Sequence, residues 1–290
     1  MIMPEIIIGA HMPIGGGFSR VPKETVEIGG NTFQIFPHNP RQWTAKMPAE
    51  EDVVHFLRDV KRYQLNPEYF MCHSGYLINI ASTKDDVWEK STELLELEMK
   101  ICAKLDIRYL NIHPGSHLGA GEKGGIERIA KALNIVFKRE KTVNILLENV
   151  VKKGGNIGYN YAHMRKIIEA CEQPDRIGFT FDTCHGYDAG YDVTKPEDIQ
   201  QLLDEIDREV GIERLKFIHL NDTKNSLGSQ KDRHENIGNG NIGIEGFKIF
   251  LSNRTFSSIP LILETPGGNL EHAQDIAKVK EIYQSIVSSR

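Results

Sequence analysis

Eight times along the chain, a short apolar stretch of β-favouring residues gives way to a segment whose apolar residues recur at helical spacing. The β-like stretches are EIIIGAH (5–11), TFQIF (32–36), YFMCH (69–73), RYLNIH (108–113), NILLEN (144–149), IGFTFD (177–182), KFIHLND (216–222) and PLILET (260–265). Their length and β-branched or aromatic content read as buried strands. Segments near 86–105, 125–138, 160–172 and 271–287 carry apolar residues at i, i+3 and i+4 and read as amphipathic helices. Another helix opens at TKPEDIQQLLDEI, where Thr194 and Glu197 have the spacing of a capping box and Pro196 falls in the first turn. Eight such units of about 36 residues each fill the 290 residues. A (β/α)8 barrel requires that many, whereas an open doubly wound sheet usually has fewer strands. The prediction is a single-domain (β/α)8 TIM barrel over residues 1–290.

Composition narrows the setting. At 40% hydrophobic content the chain can bury one large core. The first residues lack the basic start and the apolar length of a signal peptide. No apolar run approaches the roughly 20 residues that span a bilayer. Four cysteines without C-x-x-C spacing suggest reduced thiols, so a cytoplasmic protein is expected, and nothing indicates a membrane or protein partner or more than a monomer. A net charge of −5 argues against a broad basic nucleic-acid surface. Any such partner must be met by a local patch.

In a barrel, the residues at the carboxyl ends of the strands face the active-site mouth. Here they are His11, Phe36, His73, His113, Glu148, Asp182, His219 and Glu264. Only Phe36 is not a metal-ligand type. One such residue alone is more often a hydrogen-bonded rim or core group. Seven together would be costly to bury unless something cationic paired them. Three more donors lie in loops: His185, three residues after Asp182, and Asp232 and His234 in KDRH. Alternation in extended backbone puts Asp232 and His234 on one side and Arg233 on the other. His73, His113, Glu148, Asp182, His185, His219, Asp232, His234 and Glu264 make nine nitrogen and oxygen donors without a thiolate. That number suits about three metal ions, because a catalytic zinc takes about three protein ligands and carboxylates can bridge. Zinc fits these donors, with manganese or iron as alternatives.

The segments GAH, FQIF leading to NPRQW, HSGYLIN, LNIHPGSH, LLEN, FDTCHGYDAGYD, HLNDTKNSLGSQKDRHENIGNGNIG and LILETP resemble, in order, the motifs of the endonuclease IV family of apurinic/apyrimidinic endonucleases. The likeness runs from about residue 8 to 266. It implies a TIM barrel with three zinc ions acting on abasic sites in double-stranded DNA. His73 and His113 would hold one zinc, bridged by Glu148 to a second that Asp182, His219 and Glu264 complete; His185, Asp232 and His234 would hold the third. The implied reaction is hydrolysis of the phosphodiester 5′ to the abasic site, leaving a 3′-hydroxyl and a 5′-deoxyribose phosphate. Glu148 and Glu264 would orient the nucleophilic water. Arg41 and Tyr76 occupy the positions whose side chains the family inserts into the duplex, and Lys224, Lys231 and Arg233 could add phosphate contacts.

The likeness is imperfect at Ser74 and Gly75 and in the loop after His11, which matches no family ligand and is expected to support the ligands from behind. His38, His55, His117, His163 and His272 are read as surface or packing residues. GNGNIG (238–243) fits G-x-G-x-x-G, but no buried strand precedes it, so a dinucleotide site is not expected. The main rival is a xylose-isomerase-like sugar isomerase or epimerase, whose one or two metals would leave His185, Asp232 and His234 without a task. A non-catalytic DNA-binding scaffold would have no need of the full donor set.

Overall fold

The computed structural model describes residues 5–289. Its strands are β1 (Ile8–His11), β2 (Thr32–Ile35), β3 (Met71–His73), β4 (Tyr109–Ile112), β5 (Asn144–Glu148), β6 (Ile177–Asp182), β7 (Leu215–His219), β8 (Asp222–Thr223), β9 (His234–Glu235) and β10 (Leu261–Leu263). Eight of them close a parallel barrel in the order β1-β10-β7-β6-β5-β4-β3-β2. The other two, β8 and β9, form a separate antiparallel ribbon that pairs Thr223 with His234.

The helices are α1 (Val21–Glu27), α2 (Glu50–Arg62), α3 (Asp85–Lys104), α4 (Glu122–Arg139), α5 (Tyr161–Ala170), α6 (Thr183–Ala189), α7 (Pro196–Glu209), α8 (Gly243–Ser252), α9 (Arg254–Ser257) and α10 (Asn269–Ser288). Most of the core lies between them and the sheet, where Phe33 stacks on Phe70 and Phe250 on Phe256. A second, smaller cluster of Met71, Leu146, Phe217 and Ile262 fills the barrel interior. Side chains two residues apart on a strand share a face. The next inward positions above this apolar layer are therefore His73, Glu148, His219 and Glu264. The polar centre thus rests directly on an apolar layer.

The structure corrects three sequence expectations. Thr194 forms no capping box: its N–H and hydroxyl both bind the Asp192 carboxylate, at 2.9 and 2.5 Å, and α7 starts after Lys195 with Pro196 in its first turn. An Asx turn has taken the hydroxyl that a cap would use. The seventh strand ends at His219 rather than at 222, and Asp222 opens the separate ribbon. α1, α2, α6, α8 and α9 are helices beyond those that the apolar spacing indicates, and α6 contains His185, expected in a loop.

Candidate metal centre

The barrel brings all nine candidate donors to its carboxyl end, in three groups whose ligand atoms lie within 4.8 Å of one another; a fourth such group joins Asp182 and His234 to the buried Cys184 thiol. His73, His113 and Glu148 form the first. Glu148, Asp182, His219 and Glu264 form the second, and His185, Asp232 and His234 the third. Glu148 is fully buried and joins the first two. Its Oε2 is 3.2 Å from His73 Nε2 and 3.4 Å from His113 Nε2, and its Oε1 is 3.2 Å from His219 Nδ1. His219 Nδ1 is also 3.3 Å from Glu264 Oε2. In the third group Asp232 Oδ1 lies 3.4 Å from His185 Nε2 and 3.6 Å from His234 Nε2.

Strand geometry places the first two groups, and local turns place the third. Asp182 ends β6 and accepts the N–H of His185 at 2.8 Å, starting α6 and turning His185 into the same cavity. His234 is carried by β9, whose pairing with β8 anchors an otherwise polar loop. Asp232 follows no regular element and keeps a 48% exposed side chain. The cavity above has a volume of about 380 Å³ and is lined by His73, His113, His185, Asp232, His234 and Glu264, with Phe36 and Tyr76 at its wall.

The electrostatics are those of densely interleaved imidazoles and carboxylates. Burial disfavours the ionised form of Glu148, but His219 and His113 outweigh it and hold the carboxyl well below its ordinary range. Glu264 likewise resists burial through His219 and sits at about 2. Burial pushes His219 down, yet Glu264 and Glu148 raise it to about 9. His185 is raised against its own burial by Asp182 and Asp232. Among the described residues, three buried atoms of the donor groups, Glu148 Oε1, His219 Nδ1 and His234 Nε2, have no hydrogen-bond partner. Buried polar atoms are rarely left so. All three point into the groups just described, so bound cations suit the donors present.

The other candidate residues lie around the mouth. Tyr76 is 63% exposed, its ring 5.2 Å from that of Phe36, and its N–H donates to Pro40 O at 2.9 Å, tying its loop to the one that carries exposed Arg41. Lys231 and Arg233 are exposed; Lys224 lies 3.6 Å from Glu235 Oε2. His11 belongs to none of the three groups. Its Nδ1 is 2.8 Å from Gln34 Nε2 and 3.9 Å from Glu264.

Several residues of the centre are not singled out by the sequence. Gln34 contacts His11, His219 and Glu264, Asn111 donates to Glu148 Oε2, and Asn221 donates to Asp182 Oδ2 at 2.7 Å. Their one signal is a polar residue inside an apolar strand, as in FQIF and YLNIH. Asp222 is another. Its carboxylate accepts the N–H groups of Gly238, Gly240, Ile242 and Gly243 at 3.0 to 3.2 Å. The glycine-rich loop therefore cradles an anion of its own chain, where a nucleotide fold would hold a phosphate.

The sequence matches the family described as Xylose isomerase-like TIM barrel over residues 22–284. A Thermosipho melanesiensis protein named "Probable endonuclease 4" is 61% identical over 277 residues, 96% of this chain and 98% of its own length. The chain belongs to the endonuclease IV family. The solved structure of endonuclease IV from Thermus thermophilus is 30% identical and superposes with a TM-score of 0.83, covering 98% of this chain and 99% of that one. The structure of a D-tagatose 3-epimerase-like protein also superposes, with a TM-score of 0.73 over 98% of this chain and 99% of its own. At 17% identity that likeness shows the fold alone. Endonuclease IV relatives thus resemble this chain in both sequence and fold.

Proposed function

We propose that this chain incises double-stranded DNA on the 5′ side of abasic sites, leaving a 3′-hydroxyl and a 5′-deoxyribose phosphate, with three zinc ions held by its nine clustered donors. Membership of the endonuclease IV family gives the coarser assignment, a DNA-cleaving hydrolase. The observation that carries the finer one is the third donor group, His185, Asp232 and His234, beside two groups that share Glu148. A centre with one or two metals would not need it.

His73, His113 and Glu148 would hold one ion. Glu148, Asp182, His219 and Glu264 would hold the second, and His185, Asp232 and His234 the third. Imidazole and carboxylate donors without thiolate suit zinc, and manganese or iron could occupy the same sites. Bound there, the ions supply Lewis acidity, acidifying water and offsetting charge on the phosphate and the departing 3′ oxygen. Glu264, whose carboxylate lines the cavity, orients the attacking water together with Glu148, buried directly beneath it. Tyr76 and Arg41, on two loops bonded to each other, fill the gap left where the base is missing. Extruding a nucleotide costs least where pairing is already lost. Lys224, Lys231 and Arg233 supply local positive charge for phosphate contacts on a chain of net charge −5. The protein acts as a monomer among the repair enzymes of the cytoplasm.

A duplex with a single tetrahydrofuran abasic analogue tests the reading. A nick on its 5′ side is expected, lost on chelation and in Glu264→Gln. Absence of a nick at every metal content tried would overturn it.

A further inference from the structure

Four histidines of the centre turn one ring nitrogen toward neighbouring ligands and give the other to an acceptor behind. For His73, His185 and His234 that acceptor is a backbone carbonyl: Ser74 O at 2.9 Å, Asn149 O at 2.9 Å and Glu264 O at 3.1 Å. His219 differs. Its Nε2 lies 2.8 Å from Gln34 Oε1, the side-chain amide of a fully buried residue on β2. The nitrogen of that amide is 2.6 Å from Glu264 Oε1 and 2.8 Å from His11 Nδ1.

Chemistry decides which way round the amide lies. A carbonyl oxygen 2.6 Å from a carboxylate oxygen would repel it, so the NH2 end faces Glu264 and the oxygen faces His219. An amide oxygen only accepts, so His219 Nε2 carries a hydrogen and Nδ1 is the nitrogen left for the group of Asp182, Glu148 and Glu264. Glu264 is held in turn, with Oε1 on Gln34 and Oε2 facing His219 Nδ1 at 3.3 Å. The remaining amide hydrogen goes to His11 Nδ1, which explains why a strand-end histidine beside the centre joins no metal group.

We propose that Gln34 is a positioning residue for the second metal group, with one amide fixing both the ligating nitrogen of His219 and the orientation of the Glu264 carboxylate. Partners behind a ligand of this kind commonly change metal affinity by about 10- to 100-fold when removed. The proposal rests on the reading that the centre binds divalent ions, and not on the DNA substrate. Among the four histidines, His219 is the one whose orienting acceptor a substitution can remove.

The test uses the full-length protein, Gln34→Leu and the same-sized Gln34→Glu. Zinc affinity is read by chelator competition, and the cadmium-loaded proteins are compared by 113Cd resonance. One ion of three should weaken about 10- to 100-fold, with one cadmium resonance displaced and the other two unmoved. In incision assays kcat should fall at limiting zinc and recover with excess, while KM stays unchanged. Wild-type affinity and an unchanged cadmium spectrum in both variants would overturn the proposal. So would failure of both variants to fold, which would make Gln34 a structural residue. A wild-type protein that binds metal but leaves abasic DNA intact would sink the functional reading and leave this one standing.

Discussion

The floor of the centre and its rim are built differently. Glu148, Asp182 and His219 sit at the ends of barrel strands, fully buried, where sheet register and a packed layer below leave no freedom of placement. His185, Asp232 and His234 come from a helix start, a loop and a two-residue strand, and Asp232 is half exposed. The floor inherits its precision from the fold. The rim depends on a few local bonds, chiefly Asp182 to the His185 N–H and the pairing of β8 with β9. The two should therefore respond differently to the same kind of damage.

The largest effect is expected at Glu148, which serves two groups. Glu148→Gln should remove several kcal/mol of transition-state stabilisation, a loss of about 10³-fold or more in incision rate, together with metal from both floor groups. Rate and metal content together check this; a rate within tenfold of wild type would show that the carboxylate is not shared. At the rim, Asp232→Ala or His234→Ala should empty one site while the metal-free melting temperature stays near that of the wild type. Unfolding of the barrel by either change would make this loop structural and blur the distinction between floor and rim.

A pH series on metal-free protein examines the floor alone. His219 is raised in the folded state from 6.5 to about 9, so its stabilisation is complete below 6.5 and is lost as pH rises through 9. Glu264 is lowered from 4.5 to about 2, so its contribution is present above 4.5 and is lost as pH falls through 2. Burial lowers His11 from 6.5 to about 3, so its contribution is present above 6.5 and is lost as pH falls toward 3; thermal stability should therefore be greatest near pH 6.5 and fall toward pH 9 by on the order of a few kcal/mol. Added zinc should reverse the alkaline limb, because metal binding must displace protons. A flat profile from 6.5 to 9 would show that His219 is not held by the two carboxylates. The smallest effect is expected outside the centre: Lys231→Ala should lower the salt dependence of DNA binding by about one phosphate contact. Lys224→Ala should lower it less, since Glu235 already competes for that side chain at 3.6 Å.

What can be read from sequence follows the same division. Strand ends are legible because parallel strands alternate with helices and because side chains two apart share a face, which singles out His73, Glu148, His219 and Glu264. Residues behind the ligands are not, since Gln34 and Asn111 lie within continuous apolar strands where no periodicity separates a functional amide from a packing one. Asp222 is hidden for another reason. Its partners are backbone N–H groups about 16 to 21 residues away, which leave no pattern of side-chain types. The capping box at Thr194 fails because Asp192, two residues earlier, competes for the same hydroxyl. α1 and α9, seven and four residues long, are too short to show a helical period.

Floor and rim together are proposed to form one centre of three metal sites. The most direct measurement is metal per chain, by elemental analysis of protein loaded with zinc and dialysed, for the wild type and Asp232→Ala. About three equivalents in the wild type and about two in the variant are predicted. A value near one in the wild type, or no difference between the two proteins, would contradict the account.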